Sequence, residues 1–477
     1  MAASPSPYIG KLMPIVDWTM STGEYIGRMK ELDLNVKIGL DKPIPHNDGA
    51  IGRPSLYQRL LSNDYLRNNI LVLAGSFVGG VCNLLLHPVL SRQLGPIGYG
   101  TVASLLNLLG ILLLPVQFIS TVVVKYSSSL SAGGQLAQLN DLVRRLTAIL
   151  LPIGAVITVI LIAANKFFAT SLRLPQQGIV FLAITFLVAF VSQVNGGALQ
   201  GLQRFGWVSS LNVLATVTRL ILASALVFLG FGVNGAILGV VLSVVFGYLI
   251  SFLPLRHLLS GARSPSGSLR SLWSYSITAI IASGSITLLM NVDTIMAKAY
   301  LPGTEAGLYA ALATAGKLVL FISSSIVVVM LPKVAALHQR DENTTQVVLQ
   351  SLLGMLVLSA GAEFIFLVVP SLVIRYMFGY KFVAVSGQLA WYGLAMLMFA
   401  LAQPLGTYFL AIGNRLYGFV VLACCAIQGV LIVLRHGTLI QIVQAVIVSH
   451  TLLFVLLVGL FVLYDSPRGR RLRTATA

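Results

Sequence analysis

The chain has very little charge for its length. Only 9% of its 477 residues are Asp, Glu, Lys or Arg, whereas soluble domains carry about 25%. Acidic residues are the scarcer kind, at 14 against 31 Lys and Arg, while 57% of the residues are hydrophobic. Apolar runs of about 20 residues, the length that crosses a bilayer, recur along most of the chain. These features exclude a soluble globular protein and predict a polytopic all-α membrane protein.

Further absences narrow the class. Apolar–polar alternation over strand-length segments does not occur, which excludes an outer-membrane barrel. The three cysteines, Cys82, Cys424 and Cys425, lie within apolar runs, so neither a disulfide framework nor a metal site is predicted. The chain also has no Asp-x-Asp pair, no histidine cluster and no long outer loop. A membrane glycosyltransferase or ligase is therefore disfavoured, and we expect no enzyme activity and no cofactor.

About twelve transmembrane helices are predicted, and they divide the chain into five regions. These regions are a cytosolic N-terminal extension (1–67, with a short interfacial helix near 56–66), an N-lobe (68–256), a cytosolic linker (257–271), a C-lobe (272–464) and a basic cytosolic C-terminal tail (465–477). The predicted spans are 69–90, 99–122, 146–165, 177–199, 207–230, 233–254, 272–297, 307–331, 346–369, 386–411, 416–434 and 439–463.

The basic residues of the loops predict the orientation, because cytosolic loops are enriched in Lys and Arg. With a cytosolic N-terminus, the N-terminal extension, the even-numbered loops and the tail hold 22 of the 31 Lys and Arg. The odd-numbered loops then hold seven. Both termini are therefore predicted to be cytosolic, in a multi-pass protein of the inner or plasma membrane. The net charge of +17 follows largely from this bias, so no nucleic-acid partner is expected.

The two halves of the chain share three landmarks in the same order. "LSRQLGPIGYGTV" after the first span matches "MAKAYLPGTEAGLYAAL" after the seventh, "STVVVKYSS" matches "SIVVVMLPK", and "LQGLQRF" matches "LAIGNRL". The basic residues of these landmarks are offset by 206, 208 and 211 residues. Since six spans separate the copies, two six-helix lobes should be related by a pseudo-twofold axis along the membrane normal. A central cavity between such lobes is typical of a transporter.

These segments resemble the polysaccharide and lipid-linked oligosaccharide flippases. The resemblance covers roughly residues 68–464 and indicates the multidrug/oligosaccharidyl-lipid/polysaccharide (MOP) exporter superfamily, Wzx-type polysaccharide/O-antigen branch. It implies a MATE-like, V-shaped fold that works by alternating access. It also implies a flippase that moves an undecaprenyl-diphosphate-linked oligosaccharide from the cytosolic to the outer leaflet for surface polysaccharide biosynthesis. The expected partners are that lipid, the membrane lipids and a polysaccharide polymerase or assembly protein, with the chain itself a monomer.

Other functions stay open at this point. A peptidoglycan lipid-precursor flippase of the same fold would have a similar cavity. A multidrug/cation antiporter of the superfamily would need an acidic cavity, whereas basic residues outnumber acidic ones in and near the spans. A scaffold without transport is disfavoured because charged residues within spans are costly and are usually functional.

Two cations lie inside predicted spans, Arg219 in the fifth and Lys317 in the eighth. A charge at the centre of a span costs roughly 2.5–3.5 kcal/mol on insertion, so it should face a cavity or a partner. Asn212 and Thr216 share a helical face with Arg219, and Thr314 shares one with Lys317. A cationic cavity of this kind can hold a diphosphate. The alternative is that each cation pairs with an acid or reaches an interface.

Asp293 is the clearest acid within a span, close to the predicted outer end of the seventh. Three roles are open for it: a latch between the lobes to a base, a site for H⁺ or Na⁺ coupling, or an acid of the cavity wall. Arg92 and Lys298, near the same side of the membrane, are the predicted gate partners. Further polar residues are predicted to line the lumen or, alternatively, to form interhelical hydrogen bonds: Asn83, His87, Asn107, Gln117 and Asn291.

Overall fold

The computed structural model of the chain describes residues 64–265, 277–339, 342–414 and 416–465. The described residues form helices joined by short turns, with no strand among them. The predicted helix near 56–66 lies almost wholly outside these residues, as do most of the N-terminal extension, part of the linker and nearly all of the C-terminal tail.

The described helices are numbered in chain order. They are α1 (Asp64–Leu112), α2 (Leu114–Ala132), α3 (Leu136–Ala163), α4 (Asn165–Leu172), α5 (Gln176–Gly201), α6 (Phe205–Leu226), α7 (Gly232–Ser260), α8 (Ile277–Tyr300), α9 (Gly303–Gly316), α10 (Leu318–Gln339), α11 (Thr345–Val368), α12 (Pro370–Phe378), α13 (Leu389–Ala411), α14 (Leu416–Leu434) and α15 (Leu439–Asp465). A π-helical turn (Val227–Phe231) joins α6 to α7, and a 3₁₀ segment (Tyr380–Gln388) precedes α13.

Eight helical stretches of the described residues are long and apolar enough to cross a membrane. Two of them, Val72–Leu112 and Phe205–Ser260, contain 41 and 56 residues, about twice the length of one crossing or more. Each is broken at a glycine with positive φ, Gly95 (64°) and Gly230 (91°), a backbone conformation that side chains disfavour. Each break separates two predicted spans. Each of the twelve predicted spans lies mostly on described helices, with residues 272–276 of the seventh outside the described part, and this confirms the all-α polytopic fold.

The second and eighth predicted spans are each divided by one residue, a feature that the sequence analysis did not address. The second is interrupted at Leu113, between α1 and α2, and the eighth at Lys317, between α9 and α10. Pro115 follows the first break and lacks the amide hydrogen of a helical residue. Gly316 immediately precedes the second. The interruptions lie at nearly corresponding positions of the two halves.

Helical structure also extends beyond the predicted spans. The helix α3 begins at Leu136, α7 continues to Ser260 inside the predicted linker, and the short helices α4 and α12 occupy loops. Hydropathy marks only the part of a helix that lies in the bilayer, so these polar or amphipathic extensions carry no signal on that scale.

The internal repeat is visible in the helix packing. In the N-half (residues 64–265), α1 packs on α6, α2 and α3 pack on α5, and α5 and α6 pack on α7. The C-half (residues 277–465) repeats this pattern: α8 packs on α14, α10 and α11 pack on α13, and α13 and α14 pack on α15. The chain therefore forms two six-span lobes of the same topology.

The two repeated landmark segments pack directly against each other where the halves meet. A Cβ atom on Gly100 of α1 would lie 2.6 Å from the Cα atom of Gly307 in α9. A Cβ atom on Gly307 would lie 1.9 Å from the carbonyl oxygen of Pro96. Glycine at both positions therefore permits a backbone-to-backbone contact. We call this end of the bundle, where α1 bends at Gly95, the Gly95 end.

The buried core follows the same division. One large cluster contains residues of both halves, among them Leu90 and Val102 from α1 with Leu312 and Phe378 from the C-half. Three further clusters of the described residues each belong to a single half. The halves therefore share a core at the Gly95 end and have separate cores elsewhere.

We predict that Gly307→Ala destabilises the contact between the halves. The added methyl group has no room beside Pro96, and overpacking of this kind costs about 1–3 kcal/mol. Thermal unfolding of the purified protein in detergent measures the effect. Gly110→Ala is the matched control, because a Cβ atom at Gly110 of α1 meets no atom within 4 Å. Equal stability of the two variants would contradict the backbone contact.

Candidate functional site between the two halves

A cavity of about 250 Å³ lies between the two halves. Its walls come from α1 on one side and from α8, α9 and α10 on the other. Six residues that the sequence nominated line it: Asn83, His87, Asn107, Asn291, Thr314 and Lys317. Gly80, Leu84, Ala103, Leu318 and Phe321 complete the wall. Polar side chains from distant parts of the chain thus converge on one central space.

The charge of this cavity is positive. Lys317 lies in its wall, and both Lys317 and Arg219 are within electrostatic range of His87. Neither cation makes a hydrogen bond or a salt bridge within the described part of the chain. Asp293 is within electrostatic range of Lys317 without direct contact. The two cations therefore remain available to an anionic ligand.

Interrupted helices border this cavity. Lys317 is itself the residue between α9 and α10, and the corresponding break at Leu113 follows the segment of α1 that carries Asn107. Breaks at corresponding positions of two repeats are a typical location for a transporter's binding site, because irregular backbone is tolerated where it lines a cavity.

The polar stripe on α6 is divided by its packing against α1. A Cβ atom on Gly79 would lie 3.5 Å from both Asn212 Nδ2 and Thr216 Oγ1. Thr216 is buried there, and its hydroxyl donates to the Asn212 carbonyl at 2.9 Å. The structure thus places Thr216 in a helix contact beside the cavity, whereas Asn212 keeps an exposed side chain. The side chain of Gln117 lies outside the described residues.

Asp293 is held within its own half. Its side chain is 1% exposed, and its Oδ2 atom accepts hydrogen bonds from Tyr309 at 2.8 Å and Tyr392 at 2.7 Å. Both tyrosines belong to the C-half, so the latch to a base of the other lobe is not formed in this conformation. Gly316 makes the arrangement possible, because a Cβ atom there would lie 2.3 Å from Tyr392 Cδ1. Ion coupling through Asp293 stays a prediction.

Arg92 and Lys298, the two bases nominated as gate residues, do reach across the halves. Arg92 Nη2 donates to the Tyr376 carbonyl at 2.7 Å. Lys298 Nζ donates to Thr101 Oγ1 at 2.9 Å, and this lysine is 6% exposed. Both bonds lie at the Gly95 end, so they hold that end closed in this structure.

A chain of hydrogen bonds connects the cavity to this closure. His87 Nδ1 lies 2.9 Å from the Tyr99 hydroxyl, which donates to Thr314 Oγ1 at 3.2 Å; Thr314 donates to the Ala310 carbonyl at 2.8 Å. Because the single hydroxyl hydrogen of Tyr99 goes to Thr314, its oxygen accepts from His87 Nδ1–H. This series of hydrogen bonds begins in the N-half and ends in the C-half, so the bond between Tyr99 and Thr314 breaks when the halves separate.

The tyrosines of this site were missed from the sequence. Tyr99 and Tyr309 occur in the repeated landmarks, and that repetition was a usable signal for a role at the interface of the halves. Tyr392 carries no such signal, because it reaches Asp293 from a helix 99 residues away.

Within the described residues, no group of three or more His, Cys, Asp or Glu side chains could hold a metal ion.

Comparison with known protein families identifies one family that matches this chain. The model of a family described as "Polysaccharide biosynthesis protein" matches residues 65–338. Among curated proteins no match was found.

Solved structures of transporters share the architecture. An inward-facing multidrug resistance MATE family transporter of the MOP superfamily has a TM-score of 0.65 at 15% identity, covering 84% of this chain and 96% of its own. An outward-facing structure described in the same terms has a TM-score of 0.58 at 15% identity, covering 82% and 93%. A MOP superfamily transporter from Pyrococcus furiosus, described as having a binding pocket of reverse polarity, has a TM-score of 0.52 at 18% identity, covering 87% and 100%. These likenesses show the fold.

We predict that Tyr392→Phe lowers the stability of the protein by about 1–2 kcal/mol, because a buried carboxylate loses one of its hydrogen-bond donors. Tyr417→Phe is the control, since Tyr417 is similarly buried and its hydroxyl makes no hydrogen bond to the described residues. Thermal unfolding in detergent distinguishes the two. Wild-type stability in Tyr392→Phe would mean that Asp293 does not depend on this pairing.

Proposed function

The chain belongs to the polysaccharide biosynthesis protein family, and on this premise we propose that it is a flippase for a lipid-linked oligosaccharide. The substrate is an oligosaccharide on undecaprenyl diphosphate, which moves from the cytosolic to the outer leaflet of the cell membrane. The Gly95 end faces outward and both termini face the cytosol, as the distribution of basic residues predicts. The protein acts as a monomer, without enzymatic chemistry.

The observation that carries this proposal is Lys317 in the wall of the central cavity, with Arg219 within electrostatic range of His87 in the same wall. Lys317 and Arg219 make no salt bridge within the described residues, although an unpaired charge at the centre of a span costs roughly 2.5–3.5 kcal/mol. A diphosphate would neutralise them. Arginine offers a planar fork of donors to phosphate oxygens, and lysine a compact point charge. His87, Asn83 and Asn107 add hydrogen-bonding side chains to the cavity wall that contains Lys317.

This arrangement lowers the barrier to translocation. A diphosphate that enters the hydrocarbon region loses its hydration, and fixed cations replace the lost interactions with water. The polyprenyl chain is itself apolar and can stay in the bilayer while the headgroup passes between the lobes. The cavity of about 250 Å³ must widen for a bound oligosaccharide. The two lobes therefore separate at one end at a time.

The hydrogen bonds at the Gly95 end supply the outer gate of this cycle. The bonds from Arg92 and Lys298 join the halves there, and Tyr99 connects the gate to the cavity. In the outward-open state these bonds are broken. A substrate headgroup at Lys317 and His87 competes for the groups on which the chain through Tyr99 depends, and this competition couples binding to gate opening.

The alternatives differ in the ligand that they need. A peptidoglycan lipid-precursor flippase would also carry a diphosphate, and it stays open for that reason. A multidrug antiporter carries lipophilic cations, and Lys317 and Arg219 would repel such a substrate. The MOP superfamily relative described as having a binding pocket of reverse polarity supports a change of pocket charge within one fold.

We predict that a polyprenyl-diphosphate oligosaccharide raises the melting temperature of the protein in detergent. At about 100 times the dissociation constant, a ligand of the folded state stabilises it by about 2.7 kcal/mol. Lys317→Gln and Arg219→Gln should lose most of this stabilisation because the anion loses a cation of the site. Lys333→Gln should keep it, since Lys333 is exposed on α10 away from the cavity lining.

A lipophilic cation such as tetraphenylphosphonium serves as the opposing probe. It should give no stabilisation in the same titration. Saturable stabilisation by this cation, with none by the diphosphate lipid, would replace the flippase proposal with drug export.

A further inference from the structure

A second cationic pocket lies at the Gly95 end, apart from the central cavity. It has a volume of about 630 Å³, and its lining includes Arg92, Leu372, Arg375, Tyr376 and Tyr380. None of its lining residues also lines the central cavity. Arg92 comes from α1 in the N-half, while the others come from α12 and the 3₁₀ segment of the C-half. We call it the Arg92–Arg375 pocket.

The two guanidinium groups of this pocket are available for a ligand. Arg92 uses one N–H group for the Tyr376 carbonyl, and its remaining donors have no partner within the described residues. Arg375 is exposed, and its side chain makes no hydrogen bond or ion pair with the described part of the chain. None of the residues that line the pocket is acidic. Arginine pairs arranged in this way suit phosphate oxygens, to which the planar fork can donate two parallel bonds.

The position of the pocket indicates a ligand that is anchored in the bilayer. The helix α12 buries Ile374 and Phe378, and it exposes Leu372 (52%), Arg375 and Tyr376 (69%). An amphipathic helix of this composition is typical of the membrane–water interface, and tyrosines concentrate at headgroup level. A phosphate held by the two arginines would therefore lie at headgroup depth, with apolar chains free to enter the lipid beside Leu372.

We infer that the Arg92–Arg375 pocket binds the diphosphate headgroup of the translocated lipid in the outer leaflet. This inference rests on the proposed function, because the ligand is the product of that transport and the outward position follows from the proposed orientation. The central cavity holds the diphosphate during translocation, and the Arg92–Arg375 pocket holds it after release from the cavity.

Binding at this pocket is coupled to the outer gate. The pocket is complete only when Arg92 lies beside the C-half, as it does here. Gly379, whose φ is 97°, closes the turn after α12, and a Cβ atom there would lie 3.2 Å from Arg92 Cγ. A ligand of the complete pocket therefore favours the outer-closed state. The released lipid headgroup thus helps to return the protein to the state that accepts substrate from the cytosol.

Native mass spectrometry of the detergent-solubilised full chain tests this inference by counting bound lipids. The probe is undecaprenyl diphosphate without sugar. At the lowest lipid concentration that gives two bound copies on the wild-type protein, the double variant Arg92→Gln/Arg375→Gln should bind mainly one copy. The double variant Lys317→Gln/Arg219→Gln should also bind mainly one copy. Loss of the charge-assisted bonds should weaken the outer site by about tenfold or more. Lys166→Gln is the matched control, because Lys166 is an exposed base on α4, the short loop helix of the N-half. This variant should bind two copies of the lipid, as the wild type does.

The outcomes separate the two proposals. Two copies on Arg92→Gln/Arg375→Gln, with one on Lys317→Gln/Arg219→Gln, would overturn this inference and leave the flippase proposal intact. No loss of binding in either double variant would overturn both. Inorganic diphosphate and phosphatidylglycerol are the comparison ligands: equal affinity of the Arg92–Arg375 pocket for either would overturn its assignment to a diphosphate lipid.

Discussion

A charge in the hydrocarbon core of a bilayer needs a partner or a polar space, and this requirement organises the centre of the molecule. Asp293 meets it with hydrogen bonds from Tyr309 and Tyr392. Lys317 meets it by lining a cavity, and neither Lys317 nor Arg219 forms a salt bridge with a described residue. The acid forms its hydrogen bonds within one lobe, whereas Lys317 lines the space between the lobes. A cation therefore faces the space between the lobes, and the acid does not.

The internal repeat supplies the contact that joins the two halves. The duplicated segments that contain Gly100 and Gly307 are in backbone contact. Arg92 and Lys298, the basic residues at the start of these segments, each donate a hydrogen bond to the opposite half. One duplication thus supplies both faces of a closure that buries a shared core at the Gly95 end. The remaining cores belong to single halves, so the lobes can separate elsewhere without loss of internal packing.

Much of the architecture could be predicted from the sequence. Hydropathy marks the membrane-spanning helices, and the nearly constant offset between the repeated segments indicates two related lobes. The same local signals nominated Lys317, His87 and Asn107, which the structure brings to one cavity. The breaks at Leu113 and Lys317 were not predicted, because average hydropathy over a span does not report a one-residue interruption, although Pro115 and Gly316 lie beside them. The pairing of Tyr392 with Asp293 depends on tertiary packing past Gly316, and one sequence holds no record of which distant helices meet.

The measurement that tests alternating access most directly is translocation in proteoliposomes with a lockable outer gate. A Cβ atom at Gly303 would lie 3.6 Å from Ile97 Cγ2, so Ile97→Cys and Gly303→Cys, in a background without Cys82, Cys424 and Cys425, place two thiols together across the halves. Oxidation should stop the movement of a fluorescent polyprenyl-diphosphate oligosaccharide to the outer leaflet, and reduction should restore it. Continued translocation with the disulfide formed would contradict a path between the lobes.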